Sequence, residues 1–331
     1  MKRLTLAVAL AGILLGTALV GYFGFGEVGR ALFAVGWLGF FAIIAYHLAG
    51  IAFLGLCWYV LAPRSASISV FIWGRLIRDS GSEVLPLSQL GGYVMGARAV
   101  ILLGLPGALA VASTIVDVTL EVLGQLGYTA IGLAILARLR PETPLIGGTA
   151  IGIAVGLAAV TGFIAVQRRG SGLVERMLWR MARRWRQGAI ATVRSIHDEL
   201  AAIYRRRGAI TLAGLLHLAA WVASSLEAWF ALRLMGADLG IGAVITIESL
   251  LYAIRSVAFA VPNAVGVQEG AYIVLGAAFG LTPEVALALS LLKRARDLVI
   301  GLPALLAWQV LEGRRLLTAP TTPGAMPGMK M

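Results

Sequence analysis

The stretch that decides the fold runs from Val261 to Asp297 and reads VPNAVGVQEGAYIVLGAAFGLTPEVALALSLLKRARD. It is mostly apolar, but Pro262, Asn263, Gln268 and Glu269 interrupt its first part. Its end carries four charged residues, which are Lys293, Arg294, Arg296 and Asp297. A charged side chain at the centre of a membrane helix costs about 2.5–3.5 kcal/mol on insertion scales. We therefore expect these side chains to face protein or a polar cavity rather than lipid.

The composition of the whole chain predicts a polytopic membrane protein. Of its 331 residues, 59% are hydrophobic and 13% are charged, whereas an average soluble domain has about 25% charged residues. Six apolar runs can span a bilayer, at about 4–23, 37–62, 107–137, 145–167, 209–235 and 284–310. The first run is too long for a signal-peptide core and has no clear cleavage site, so we interpret it as a retained helix. We expect one all-α integral membrane domain over 1–331, a bundle of transmembrane helices.

Two further apolar stretches, 68–103 and 241–280, are interrupted near their middles. The first interruption reads RDSGSEVLPLSQLGG and the second VPNAVGVQEG. Non-helical backbone at membrane depth is tolerated only where protein or a water-filled cavity surrounds it. The pattern therefore predicts broken or re-entrant helical hairpins.

The two interrupted stretches resemble each other at an offset of 176 residues. The matches pair Ser80 with Ser256, Pro86 with Pro262, Gly104-Leu105 with Gly280-Leu281, Ala110 with Ala286, and Glu121 with Asp297. This predicts two repeats, at about 37–137 and 209–310. The distribution of Lys and Arg places the two hairpins on opposite sides of the membrane, so the repeats are expected to be inverted.

The net charge of +12 is concentrated in a loop at 168–207. That loop holds eleven arginines against three acidic residues, a net charge of +8. In a membrane protein such a loop is typical of the cytoplasmic side, beside anionic lipid, and does not require nucleic acid. Leu173, Met177, Met181 and Trp185 recur every four residues, which predicts an amphipathic interfacial helix. We expect cytoplasmic N- and C-termini and a disordered tail at about 316–331.

The run at 107–137 has a polar face, because Ser113, Asp117, Glu121 and Gln125 are spaced four residues apart. Two carboxylates one turn apart need water, a cation or a basic partner. The simplest expectation pairs them with the basic run at 293–296 of the other repeat. The predicted substrate-binding residues are Arg98, Asp117, Glu121, Glu227, Arg255, Pro262, Gly266, Glu269, Lys293, Arg294, Arg296 and Asp297. The same residues could instead be structural ion pairs that lock the bundle.

Nothing in the sequence predicts an enzyme, a metal site or a cofactor. The chain has no G-x-S-x-G, Walker or H-E-x-x-H motif. It has one cysteine, Cys57, and three histidines that are far apart in sequence.

The broken hairpin with the pattern P-x-x-x-G-x-x-E, followed by Gly-Leu and a helix with a buried Arg, resembles the flippase-like membrane domain of lysylphosphatidylglycerol synthases. The residues that carry this likeness are Pro262, Gly266, Glu269, Gly280, Leu281 and Arg294. The run GLTPEVALALSLLKRARDLVIGLPALLAWQ, which begins at Gly280, is most similar to the hopanoid-biosynthesis-associated branch of that family. The soluble aminoacyl-transferase domain of the synthases has no counterpart in this chain, so lipid aminoacylation is not expected.

The resemblance implies a multi-pass protein of the bacterial inner membrane that translocates or presents a lipid. The implied partner is a hopanoid, its precursor or an anionic phospholipid, with a homodimer or lipid-biosynthetic enzymes as possible protein partners. Two alternatives stay open at this point. One is a non-transporting partner that scaffolds biosynthetic enzymes, and the other is a secondary transporter of small solutes.

Overall fold

The computed structural model of the chain describes residues 25–62, 65–85, 88–143, 145–169, 183–258 and 261–318. Every regular element in these ranges is helical, as the predicted all-α class requires. The helices are α1 (Phe25–Ala34), α2 (Gly36–Leu61), α3 (Ile68–Val84), α4 (Ser88–Leu102), α5 (Gly107–Leu139), α6 (Leu145–Arg169), α7 (Arg183–Arg205), α8 (Arg207–Leu234), α9 (Ile241–Val257), α10 (Val267–Ala277) and α11 (Pro283–Thr318), with a short 3-10 turn at Pro262–Ala264.

Four of the described helices are long and apolar enough to cross a membrane, namely α2, α5, α6 and α8. They coincide with four of the six predicted spans and differ from them by no more than two residues at either end. The predicted span at 4–23 lies outside the described residues. The span predicted at 284–310 is part of α11, which has 36 residues. Helix α11 is long enough to cross a membrane, but it is not among the four apolar helices because it contains the charged run at 293–297.

The two interrupted stretches are pairs of short helices. The stretch 68–103 forms α3 and α4, with 17 and 15 residues. The stretch 241–280 forms α9 and α10, with 17 and 11 residues. A helix needs about 20 residues to cross the hydrocarbon core of a bilayer, so none of the four helices spans it alone. Each stretch is therefore divided near its middle, between the end of one short helix and the start of the next.

The same turn follows each short second helix. Gly104 and Gly280 both have positive φ angles, of 100° and 81°, a conformation that favours glycine. The Leu105 amide donates to the Val100 carbonyl at 3.1 Å, and the Leu281 amide donates to the Gly276 carbonyl at 3.0 Å. These residues correspond at an offset of 176, as the sequence comparison of the two stretches proposed. The turn resembles a Schellman motif, which ends a helix and redirects the chain. Each turn delivers the chain into a long helix, α5 or α11.

Helices α3 and α4 pack very closely through glycines. A Cβ atom added to Gly96 of α4 would lie 2.7 Å from the Arg78 Cβ atom and 3.0 Å from the Gly74 carbonyl oxygen of α3. Small residues at such positions let helix backbones approach within a membrane. This contact holds the α3 side chains firmly over the centre of the bundle.

The outside of the described bundle is apolar. Helix α6 exposes Ile151, Val155 and Phe163, and α2 exposes Trp37 and Leu38, the latter at 87%. Only 6% of the apolar window of α6 is buried within the protein. A surface of this kind is stable in lipid and unstable in water. The bundle is therefore arranged with apolar residues facing the membrane and charged residues facing inward.

The described ranges include one helix that the sequence did not predict, α1. Helix α7 covers the second half of the predicted basic loop. The side chains of Leu173, Met177, Met181 and Trp185 lie outside the described part. Of the tail predicted as disordered at about 316–331, residues 316–318 belong to helix α11, and the rest lies outside the described residues.

Candidate functional site

A cavity of about 380 Å³ lies at the centre of the bundle, between α2, α3, α4, α5, α8, α9 and α11. Arginines and carboxylates alternate on its wall. Its charged and aromatic lining residues are His47, Arg75, Arg78, Asp79, Glu83, Tyr93, Glu121, Trp221, Tyr252, Arg255, Arg296 and Asp297. This volume lies at the lower end of the usual range for ligand pockets, about 300–1,000 Å³.

One group of charges joins α3 to α5. The Arg75 guanidinium donates two parallel hydrogen bonds to the Glu121 carboxylate, at 2.6 and 3.1 Å. Arg78 donates to Asp117 at 2.6 Å and also to Glu121. Arg75 reaches Asp79, one turn further along its own helix, at 2.9 Å. The two carboxylates of α5 are thus neutralised by arginines of α3.

This pairing differs from the sequence expectation. The carboxylates of α5 were expected to contact the basic run at 293–296, but Arg75 and Arg78 hold them instead. The physical reason is the length of the arginine side chains. From their positions on α3, both arginines extend far enough to contact the carboxylates of α5. The sequence does contain a pattern that indicates a charged face on α3. Arg75, Asp79 and Glu83 recur every four residues and so share one face of the helix.

A second group of charges joins α2, α8 and α11. Arg296 donates to Glu227, and it also contacts Asp297 at 2.7 Å. His47 Nδ1 lies 2.9 Å from the other oxygen of Glu227. Three of these residues were predicted for the site, but His47 was not, because a single histidine on an apolar helix carries no pattern.

A third group lies where the two interruptions meet. Arg255 of α9 contacts the Glu83 carboxylate at 2.9 Å. Asn263, from the interruption between α9 and α10, donates to the Glu83 carbonyl oxygen at 2.5 Å. Asn263 and Ala264 both have positive φ angles, of 49° and 46°, which is unusual for residues other than glycine. The end of α3 and the break in the second stretch are therefore in direct contact.

Several predicted residues lie behind the cavity wall. Glu269 accepts a hydrogen bond from the Gly266 amide at 2.7 Å, which caps α10, and it accepts another from Arg294 at 2.6 Å. Lys293 contacts Glu248 at 2.5 Å. None of these five residues lines the central cavity. Their contacts join α10 and α9 to α11.

Two further predicted residues, Arg98 and Asp117, do not line the cavity. Arg98 is on the outer surface, where it pairs with Glu312 at 2.7 Å. Pro262 belongs to the 3-10 turn, and its side chain is outside the described residues. Asp117 is completely buried behind Arg78 and contacts His217 Nε2 at 3.0 Å. The cavity itself thus brings together Glu121, Arg255, Arg296 and Asp297 from the predicted set.

The interior ion pairs of the described bundle contain more acids than permanent cations. Eight carboxylates take part, which are Asp79, Glu83, Asp117, Glu121, Glu227, Glu248, Glu269 and Asp297. Six permanent cations face them, which are Arg75, Arg78, Arg255, Lys293, Arg294 and Arg296. The remaining two members of the network are His47 and His217, each in contact with one carboxylate. The interior ion pairs of the described residues thus contain two more carboxylates than permanent cations.

No group of three or more metal-ligating side chains was found among the residues that the structure describes. The site is a network of charged side chains around a polar cavity, enclosed by helices that are apolar on the outside. This arrangement can hold a polar or charged group within the membrane and bond it from several sides.

Comparison with known proteins gave one match. A family model described as the lysylphosphatidylglycerol synthase TM region matches residues 5–304. No curated protein and no solved structure matched the chain significantly.

Proposed function

The chain belongs to the family of the lysylphosphatidylglycerol synthase TM region, and from that premise we propose that it translocates or presents a membrane lipid. The observation that carries this proposal is the charged central cavity of about 380 Å³. A cavity of that size admits a lipid headgroup, and the acyl chains can stay in the bilayer. The membrane location and the relation to lipid metabolism follow from the family.

The chemistry of the cavity wall supports an amphiphile with a polar head. Arg255 and Arg296 offer planar guanidinium groups, which bind phosphate and carboxylate through paired hydrogen bonds. Trp221 and Tyr252 line the same cavity, with ring centroids 4.7 Å apart. Aromatic rings of this kind are amphipathic and can pack against the apolar part of a ligand. The exposed apolar side chains of the outer helices would meanwhile contact its chains.

An inverted arrangement of the two broken stretches gives the protein a means of alternating access. Arg206, at the start of α8, donates to the Leu61 carbonyl oxygen at the end of α2, so α3 begins on the side of the basic loop. Helix α8 has 28 residues, about 42 Å at a rise of 1.5 Å per residue, so α9 begins on the far side. The two breaks, which meet at Glu83 and Asn263, would then be reached from opposite faces. Transporters with inverted repeats bind substrate at such a place.

The proposed substrate is a hopanoid or a hopanoid precursor in a bacterial inner membrane, with the basic loop and the chain termini in the cytoplasm. This part of the proposal is supported by the likeness of the run from Gly280 to Gln309 to the hopanoid-associated branch. A cavity that opens sideways to the bilayer would favour a lipid, and one sealed from the bilayer would favour a small solute.

We propose protons as the energy source for translocation. The interior ion pairs of the described residues contain eight carboxylates and six permanent cations. An uncompensated negative charge in a low-dielectric interior is costly, so protons taken up by this network would balance it.

The experiment is lipid translocation by the full chain in proteoliposomes. A fluorescent hopanoid analogue with the label on its head is bleached from outside by a membrane-impermeant reductant, and the rate of label exposure is measured with and without a pH gradient. Arg255→Lys keeps the charge and loses the paired hydrogen bonds. Because hydrogen bonds to charged groups contribute about 1.5–3 kcal/mol, we expect it to slow translocation about tenfold or more.

Arg98→Lys is the matched control, since it alters an arginine–glutamate pair on the outer surface. It should leave the rate unchanged. Equal rates for the wild type and a folded Arg255→Lys variant would refute the cavity as the lipid site. A wild-type protein that binds the analogue without moving it would favour the scaffold interpretation.

A further inference from the structure

A second cavity, of about 390 Å³, lies at the edge of the bundle, apart from the central one. It is lined by Gln167, His197, Ala201, Tyr204, Arg205 and Arg207. These residues come from the end of α6, the second half of α7 and the first residue of α8. None of them lines the central cavity.

This peripheral cavity is at the level where the membrane ends. The apolar span of α6 runs from Ile146 to Gln167, and the span of α8 runs from Arg207 to Leu234. Gln167 closes the first span and Arg207 opens the second, and both line the cavity. A site at the ends of two membrane helices lies among lipid headgroups.

Two side-chain hydrogen bonds fix the position of residues that line the peripheral cavity. Tyr204 donates to the Gln167 side-chain oxygen at 2.7 Å, and the Gln167 amide donates to Thr119 of α5 at 2.9 Å. The neighbouring Arg206 is turned away, because it donates to the carbonyl oxygens of Leu61 and Val60 at the end of α2. The cavity is therefore a built feature of the fold, and Arg205 and Arg207 are left to face it.

The charge of the peripheral cavity differs from that of the central one. Each arginine on the central wall has a carboxylate partner. Within the described residues, by contrast, no carboxylate pairs with Arg205 or Arg207, and no acidic residue lines the cavity. The acidic residues nearest in sequence, Asp198 and Glu199, are on α7 outside the lining. Two guanidinium groups, an imidazole and a tyrosine around one cavity make a site that favours an anion.

The flanks of the peripheral cavity are apolar and face outward. Phe163 and Val166 of α6 are about half exposed, as are Leu212 and Leu215 of α8. A free anion would gain nothing from these side chains, whereas the acyl chains of a lipid would pack on them.

We propose that the peripheral cavity binds the phosphate of an anionic phospholipid, with Arg205 and Arg207 as its main contacts and the acyl chains along α6 and α8. The site is separate from the proposed translocation cavity. It would anchor the start of α8 to the anionic leaflet, which fixes the side from which the basic loop meets the membrane.

The test is lipid binding to the full chain in detergent, measured by native mass spectrometry with phosphatidylglycerol and with phosphatidylcholine. Each basic residue near an anionic surface contributes about 1 kcal/mol, equivalent to about fivefold in affinity. The double variant Arg205→Gln/Arg207→Gln should therefore bind phosphatidylglycerol about 25-fold more weakly, with phosphatidylcholine binding unchanged. Arg233→Gln, at the other end of α8, is the matched control and should bind like the wild type.

A charge-retaining variant and a competition experiment complete the test. Arg205→Lys/Arg207→Lys retains the charge, so it serves if the double Gln variant does not fold, and it should lose less affinity than the Gln variant. Inorganic phosphate is added as a competitor at equal concentration and should displace little lipid, since it lacks the chains. Wild-type phosphatidylglycerol affinity in both double variants would overturn the site. Displacement by phosphate as effective as by lipid would overturn the lipid assignment.

Discussion

At the scale of single residues, Arg78 is the side chain on which the central network depends. It is 1% exposed, donates to Asp117 and Glu121, and lies 4.5 Å from the centre of the Tyr93 ring. Burying a guanidinium is costly unless its charge is compensated. Removing it would leave two carboxylates of α5 one turn apart with only Arg75 to neutralise them.

A double-mutant cycle measures this dependence. Arg78→Met alone should lower the free energy of unfolding by about 3–5 kcal/mol, because it breaks a buried ion pair from one side. Arg78→Met together with Asp117→Leu should recover part of that loss, since the double variant removes one carboxylate along with the arginine and Arg75 still pairs with Glu121. The measurement is thermal unfolding in one detergent. Arg98→Met is the control, because an exposed pair contributes about 0–1 kcal/mol; an Arg78→Met variant as stable as that control would contradict the network.

At the scale of elements, the contact between α3 and α4 positions both arginines of α3. Gly74 and Gly96 leave no room for side chains between the two helices. Because Gly96 lies against the Arg78 Cβ atom, the separation of these helices also sets how far Arg78 reaches into the cavity. A change at Gly96 is therefore expected to alter both the packing of α3 against α4 and the position of Arg78 in the cavity.

Gly96→Ala should lower the free energy of unfolding by about 1–3 kcal/mol, as added atoms in a packed interface do. It should also slow lipid translocation, since Arg78 must move. Gly152→Ala in α6 is the matched control, because no atom lies within 4 Å of the added methyl group. That variant should gain about 0.5–1 kcal/mol from helix propensity. The measurement is the unfolding curve of each variant in the same detergent. Equal stability of the two variants would contradict the close packing of α3 against α4 at Gly96.

At the scale of the whole molecule, the proposed inversion is a question of which face each broken stretch enters. The tips of the two breaks meet at Glu83 and Asn263, so labels placed there would report on one shared cavity. The outer ends of α3 and α9 are the informative positions. Ser67 and Asp238 lie just before these helices and are exposed.

Cysteines at Ser67 and Asp238, each in a Cys57→Ser background, should react with a membrane-impermeant maleimide from opposite sides of sealed vesicles. Ser195→Cys in α7 is the reference for the basic-loop side and should react together with Ser67→Cys. Cys57 is completely buried, so its replacement removes background without altering the surface. Reaction of all three from one side would end the inverted-repeat proposal.

Much of the architecture could be read from local sequence. Apolar runs of about 20 residues or more located α2, α5, α6 and α8, because bilayer thickness sets the length of a spanning helix. The breaks near Pro86 and Pro262 marked the short helices, and the Gly-Leu pairs marked the two matching turns. The carboxylate stripe on α5 followed from four-residue spacing. Each of these features depends on neighbours within about ten residues.

The tertiary structure decided which charges meet. The sequence predicted Arg294 and Lys293 as substrate residues; in the structure they pair with Glu269 and Glu248 and are not among the residues that line the central cavity. Arg75 reaches Glu121 across 46 positions of the chain, and His47 reaches Glu227 across 180. Such partners are chosen by how whole helices pack and by how far a long side chain extends. Helix periodicity reports the face on which a charge lies, and it carries no information on which helix will cover that face.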